Sequence, residues 1–411
     1  MANHTPTYLI CITANNNNKY YRMIPKGDTF DVEYGRVGAS CQHASYPISQ
    51  WDKKYNEKIK KGYVDQSDLI QDLIQEEKKK GPSEYKDIEN KVIAEIVARL
   101  QDMANKTIQK NYKVESTQVT QAMVDKAQEK IDFMNQLPEK TTIAKFNEHL
   151  IELYGIIPRK MKNVSDYLAK KKDDFGEIMK NEQDLLDVMR TQVVQHTVQE
   201  EVAEDENAPE QTVLEAMGLV FDEVTNEEVE KIKELLGDSK DKFKRAWRVT
   251  NLKTQKRFDE FVEKEKITDT KLLFHGSRNE NWWSIINTGL VLRPTNAIIN
   301  GKMFGYGLYF APRAKKSIGY TSLQGSYWSG GRSSSGFMAV LDVAYGKPYD
   351  VNSFDSKYYD MSYEKLQKMC PGANCLHAHA GFHTGWGTLQ NDEIIVYKED
   401  QCTIKYLVEI A

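Results

Sequence analysis

Apolar residues recur along this chain with two different periods. Over residues 7–13 (TYLICIT) and 29–38 (TFDVEYGRVG), β-branched and aromatic residues stand between the turn formers of ANNNNKYY and PKGD, which predicts strands. QWDKKYNEKIKKGY then has the spacing of an amphipathic helix. From 88 to 198 the period is helical: Ile93, Ile96, Val97 and Leu100; Val124, Ala127, Ile131 and Met134; Leu185, Met189 and Val193. TTIAKF supplies a capping threonine for a helix that ends near Pro158 in YGIIPRK. These stripes predict a helix bundle and are most simply its core. After residue 212 strand signals return in VLEAMGLVFDEV, KLLFHGS, GLYFAP, FMAVLDVAYG, EIIVYK and IKYLVEI, with glycines and aromatics gathered around them. Two charged stretches poor in apolar residues, EEKKKGPSEYKD (76–87) and EEVAEDENAPEQ (200–211), read as connectors. The expected organisation is multidomain: a small α+β domain at 1–80, an all-α domain at 88–198, and an α+β domain with antiparallel sheets at 206–411.

Composition adds limits. The 411 residues, 40% hydrophobic and 28% charged, suit a globular protein of two or three domains. No apolar run approaches the roughly 18 residues of a membrane span, so no membrane partner is expected. No signal peptide precedes the first polar residues, and five scattered cysteines (11, 41, 370, 375, 402) argue for a reducing compartment. That predicts an intracellular protein, nuclear in a eukaryote and cytoplasmic or nucleoid-associated in a bacterium. The net charge of −4 is unevenly spread: residues 1–63 carry nine Lys/Arg against five acids, +4, leaving −8 for the rest. A basic module on an acidic body is a footprint for phosphate contacts, or simply a solvated lysine face.

Three segments carry candidate chemistry. FHGS ends a strand on His275, Gly276 and Ser277. GKMFGYGLYFAPRAKKSIGY (301–320) sets glycines at 305 and 307 about an aromatic, puts Tyr309 on a strand, and follows with Lys316, Ser317 and Tyr320. NDEIIVYK opens an apolar strand on Glu393. Each alone is bland: a strand-end histidine, a hairpin, a solvated glutamate. Together and in this order they resemble the signature of the poly(ADP-ribose) polymerases, the His-Tyr-Glu branch of the ADP-ribosyltransferases. The likeness covers most of residues 212–411.

That resemblance implies NAD+ as substrate, with His275 on a ribose hydroxyl, backbone groups of Gly276 and the Ser317 hydroxyl on the nicotinamide amide, and Tyr320 and Tyr309 on either side of the ring. Ser277 and Lys316 belong to the same NAD-binding set, and Asn281 matches a position near the adenosine end. It also implies that Glu393 stabilises an oxocarbenium-like ribose and activates the acceptor hydroxyl. Val291 stands where the family has an arginine, with Arg293 displaced by two. The stretch CPGANCLHAHAGFHTGWG, read as an acceptor loop, holds metal-ligand types in Cys370, Cys375, His377, His379 and His383. It lacks a second paired cluster, so no metal is expected. KYYRMIPKGDTFDVEYGRVGA resembles a WGR domain with Tyr34-Gly35-Arg36 for Trp-Gly-Arg, which implies DNA contact through Tyr34 and Arg36. Residues 88–198 occupy the place of the family's helical regulatory domain. The resemblance therefore implies an enzyme activated by DNA strand breaks that modifies itself and other proteins in the response to DNA damage. The alternative is a DNA-binding scaffold with a mono-ADP-ribosylating or silent transferase domain.

Overall fold

The computed structural model describes residues 4–70, 85–113, 119–204, 211–293, 303–323, 333–384 and 387–411. The chain forms two compact units, one of Met1–Ser83 with Asn105–Glu204 and one of Glu84–Ala104 with Asp205–Ala411.

In the first unit, β1 (Thr7–Thr13), β2 (Asn17–Lys26), β3 (Thr29–Arg36) and β4 (Gln42–Pro47) form an antiparallel meander. After α1 (Trp51–Lys60), β5 (Val64–Asp65) pairs with the free side of β1, giving the order β4-β3-β2-β1-β5. Strand alternation sends Leu9, Tyr21, Met23, Phe30 and Val32 to one core with Trp51, and Ile10 and Tyr20 to a second with Val37. The sequence reading stopped β1 at a turn spanning the asparagine run. The turn is only Ala14–Asn16, with Asn16 at φ 66°, and β2 begins inside the run. Asn17 and Asn18 are held in the strand by specific bonds: Asn17 Nδ2 donates to Thr13 Oγ1 at 3.0 Å and buried Asn18 donates to the Arg159 carbonyl at 2.9 Å.

The helical stretch contains α2 (Lys91–Asn111), α3 (Gln121–Asn135), α4 (Ile143–Ile156) and α5 (Asp174–Glu204). Thr120 and Thr142 cap α3 and α4 by accepting from the amides of Met123 and Lys145. The expected stripes on α2 and α3 are buried, and on α5 Leu186 is buried more deeply than Leu185. The division between the units falls inside α2, and α5 runs to Glu204, into the acidic stretch expected to be a connector. Residues 76–84 and 205–210 of the expected connectors lie outside the described residues. In the first unit, Arg159 makes a two-pronged pair with Glu182 at 2.9 and 3.2 Å, both side chains buried.

In the second unit the first apolar run is divided. VLEAMGLVFDEV is not one strand: Val213–Met217 is a helical turn, α6, and only Leu219–Glu223 is strand, β6. Thr212 and Glu215 form a reciprocal capping box and Gly218 ends the turn at φ 68°, so cap and stop chemistry override the apolar run. Then follow α7 (Asn226–Leu236), β7 (Phe243–Asn251), α8 (Leu252–Lys264), β8 (Thr270–Gly276), α9 (Trp282–Thr288), β9 (Leu308–Phe310), α10 (Ala314–Ile318), β10 (Gly336–Ala344), β11 (Pro348–Val351) and α11 (Tyr363–Met369). The chain finishes with β12 (Cys375–Ala378), β13 (His383–Thr384), β14 (Gly387–Thr388), β15 (Glu393–Val396) and β16 (Cys402–Ile410). One sheet runs β6-β7-β16-β10-β8, all antiparallel; another runs β11-β12-β15-β9, antiparallel but for the β11–β12 pair. β10 and β16 are buried almost end to end, which is why GFMAVLDVA and CTIKYLVEI read as runs rather than alternations. The supposed acceptor loop contains a strand, β12, because β11 and β15 pair with it from both sides, a long-range cause its local composition does not encode.

Candidate active site

A backbone bridge joins the two sheets of the second unit. Phe274 on β8 exchanges both backbone hydrogen bonds with Ala311, just beyond β9, at 2.9 and 3.0 Å. This bridge brings the end of β8 beside β9. His275 Nδ1 lies 3.2 Å from the Tyr309 carbonyl oxygen. A carbonyl can only accept, so Nδ1 carries the proton and Nε2 is the basic nitrogen of the neutral ring.

Gly276 is required by packing as well as by any ligand. A Cβ there would lie 2.0 Å from the Ser317 carbonyl oxygen on α10, whose own hydroxyl-bearing residue is buried. The other glycines behave alike. Gly305, at φ 68°, would meet the Met361 backbone at 2.3 Å, and Gly307 would meet Ile395 at 2.1 Å. With Gly305 so placed, the Tyr309 hydroxyl donates to its carbonyl at 3.1 Å and accepts from the Phe304 amide at 3.0 Å. Burial, and then the charge of Glu393, push that hydroxyl well above its ordinary range. Tyr309 is thus a neutral, fixed wall.

Register completes the set. β15 pairs with β9 so that Ile395 faces Tyr309, and Glu393 shares the Ile395 face two residues earlier. Its carboxylate pairs with the Lys316 ammonium from α10, both side chains largely buried. Glu393 also acts, after burial, to raise the Tyr320 hydroxyl, and Tyr320 is 45% exposed at the end of α10. Nearby, Asn281 donates to Ser277 Oγ at 3.1 Å, and its Oδ1 is buried with no hydrogen-bond partner among the described residues. An acceptor so placed is ready for a ligand donor.

The candidates His275, Gly276, Ser277, Asn281, Tyr309, Lys316, Ser317, Tyr320 and Glu393 all lie in this one unit, linked by the bonds and packing just given. Sequence reasoning assigned Lys316 to NAD and missed it as the partner of Glu393; nothing in a spacing of 77 residues could reveal that pair. Tyr34 and Arg36 belong to the first unit. Arg36 donates there to Asn16 O and Oδ1, each at 2.8 Å, and to the carbonyls of Met161 and Lys162 at 3.1 and 2.8 Å. Tyr34 sits 5.8 Å from Tyr21, ring to ring, with the Lys58 ammonium over it.

Buried titratable groups of the second unit set a pH limit on its stability. Burial pushes the Cys375 and Cys402 thiols from 9.0 up to about 12, and the Tyr309 and Tyr397 hydroxyls well above 10.0. Each folded-state pKa exceeds its unfolded value. The stability each contributes is therefore whole below pH 9 and is lost as pH rises toward 12. Circular-dichroism melts are expected to hold level up to pH 9 and to fall steeply between pH 9 and 12; a midpoint level across that window would contradict the burial argument.

Comparison with known proteins places the chain among relatives. The sequence profile of the poly(ADP-ribose) polymerase catalytic domain matches residues 226–411. Uncharacterized protein 101L of Invertebrate iridescent virus 6 is 36% identical over 192 residues, covering 46% of this chain and 79% of that protein. The putative poly(ADP-ribose) polymerase-like protein 100L of the same virus is 30% identical over 173 residues, covering 41% of this chain and 86% of that one. Poly(ADP-ribose) polymerase 2 of Homo sapiens is 28% identical over 165 residues, 36% of this chain and 27% of that protein. These matches make the chain an NAD+ ADP-ribosyltransferase. It belongs to the poly(ADP-ribose) polymerase family. Among the described residues no helix is long and apolar enough to cross a membrane.

Proposed function

We propose that this enzyme builds ADP-ribose chains on itself and on other proteins, releasing nicotinamide, and that DNA strand breaks switch it on as part of the DNA damage response. The observation that carries the polymerising reading is Glu393, a carboxylate held at the site by Lys316 beside the His275–Tyr309 pair. In this reading His275 accepts a ribose hydroxyl at Nε2, since its Nδ1–H is already given to the Tyr309 carbonyl. Gly276 backbone groups and the Ser317 hydroxyl hold the nicotinamide amide, while Tyr309 and Tyr320 flank the ring. Ser277 and Asn281 serve the adenosine end, where the Asn281 Oδ1 finds its donor. As the glycosidic bond breaks, its electron pair leaves with nicotinamide. The ribose gains positive charge, which Glu393 opposes, and the same carboxylate then takes the proton of the incoming hydroxyl.

The switch would lie in the segment before residue 206. Residues 1–80 form the WGR-like DNA-sensing module, 88–198 the regulatory helices and 206–411 the transferase. The net +4 on residues 1–63 attracts phosphates, and Tyr34 offers a ring for stacking. Arg36 does its work on the carbonyls of Met161 and Lys162, tying the sheet to the segment after α4. The test is incubation with labelled NAD+, with and without nicked DNA, for the parent and Arg36→Ala. Nicked DNA is expected to stimulate the parent, less so as salt rises, and the ratio of stimulated to unstimulated rate is expected to fall in the variant. A parent rate indifferent to DNA would end the switch reading while leaving the transferase intact.

A further inference from the structure

Asp350 on β11 is paired directly with His377 on β12 in the parallel register. His379 follows two residues on, and its amide donates to the Val351 carbonyl at 2.9 Å, so the ladder continues past the end of β12. Strand alternation puts both histidines on one face. Their rings stack at 4.0 Å, 26° from parallel. His379 Nε2 lies 2.7 Å from Asp350 Oδ1, His377 Nε2 lies 3.1 Å from Asp392 Oδ2, and His379 Nδ1 lies 3.8 Å from that same oxygen. One donor atom from each of Asp350, His377 and His379 falls within 4.8 Å of the others. Zinc bonds of about 2.0–2.2 Å in a tetrahedron place neighbouring donors about 3.3 Å apart. Of these side chains Asp350 is exposed and both histidines are partly exposed.

The outer contacts suit ligands. His377 Nδ1 lies 2.8 Å from the Tyr345 hydroxyl, which turns Nε2 toward the cluster. Asp392 Oδ1 accepts from the Ala380 amide at 2.8 Å, which orients Oδ2. The cysteines that drew attention in the sequence are not in this group. Cys375 is fully buried, a core residue of β12.

We propose that Asp350, His377 and His379, with Asp392 as fourth ligand, bind one divalent ion of the zinc class. Two imidazoles and two carboxylates match a dication in both charge and donor type. The role is structural, because no step of the transfer passes through the ion. Asp392 is joined by one peptide bond to Glu393, and β15 begins with Glu393 paired to Ala378 of β12. An ion here ties β11, β12 and the start of the strand that carries the glutamate. It departs from the absence of metal expected from the sequence, where the cysteines set the pattern.

The test uses the full chain, stripped with a chelator, dialysed and titrated with zinc in a calorimeter. One equivalent is expected, with a raised melting temperature. Cobalt in its place should give the visible bands of a tetrahedral N/O site. His379→Gln and Asp350→Asn, both at partly exposed positions, should each weaken binding by at least about tenfold while keeping the parent's circular-dichroism spectrum. Cys370→Ser should bind as the parent does. No stoichiometric uptake, or uptake that survives His379→Gln but not Cys370→Ser, would overturn the assignment.

Discussion

Glu393→Gln is expected to bind NAD+ and nicotinamide-like inhibitors nearly as well as the parent and to lose chain formation by at least about a hundredfold, the lower end of what a general base contributes. The change keeps the size of the side chain and its bond to Lys316 but removes the negative charge and the proton acceptor. His275 and Gly276, with Ser317 behind them, are untouched, so the nicotinamide end of the site should still assemble. The two effects separate cleanly when inhibitor affinity and product length are measured on one preparation. Long chains from the variant would refute the role of Glu393. Lost inhibitor binding would mean instead that its pair with Lys316 holds α10 in place.

The second large effect belongs to the first unit. Arg159→Met should destabilise the first unit by about 3–5 kcal/mol, the cost of leaving a buried charge without its partner. Arg159 and Glu182 are both buried and joined by two hydrogen bonds, and Arg159 Nη1 also lies 3.4 Å from the Tyr112 hydroxyl. Burial alone pushes Glu182 above its ordinary range, and Arg159 opposes that shift. Without the guanidinium the folded-state pKa rises further above the unfolded one. The defect should therefore shrink as pH falls toward the ordinary carboxyl range and be full at neutral pH. Urea melts of Arg159→Met and of the double variant with Glu182→Gln provide the check. The double variant should recover a good part of the loss; equal instability of both would show that packing around Tyr112, not charge, is at stake.

Both predictions rest on pairs distant in sequence, and this marks how far the sequence could be read. The helices were legible where period and cap coincided, as at Thr142 with Phe146 and Leu150 behind it. Strands β8, β10, β15 and β16 were legible because their apolar runs are long and bounded by turn formers. VLEAMGLVFDEV misled because a capping box and a left-handed glycine divide a run that composition presents as one. β7 and β12 escaped notice because charged or small residues occupy them, and their partners β16, β11 and β15 lie far away in the chain.

By itself the sequence determined the chemistry available to this protein: a histidine ending a strand, glycines about an aromatic, a glutamate opening a strand, in an order that resembles one enzyme family. Local period, cap and turn signals suffice for that, because they act over a few residues. Only the tertiary structure decided what each residue does to the next. It set the His275 tautomer by the Tyr309 carbonyl, made Gly276 obligatory by the approach of Ser317, gave Glu393 its ammonium partner, and moved the metal-ligand question from cysteines to Asp350, His377 and His379. Those outcomes depend on sheet register and on the bridge between two sheets, which join residues tens of positions apart and leave no local trace.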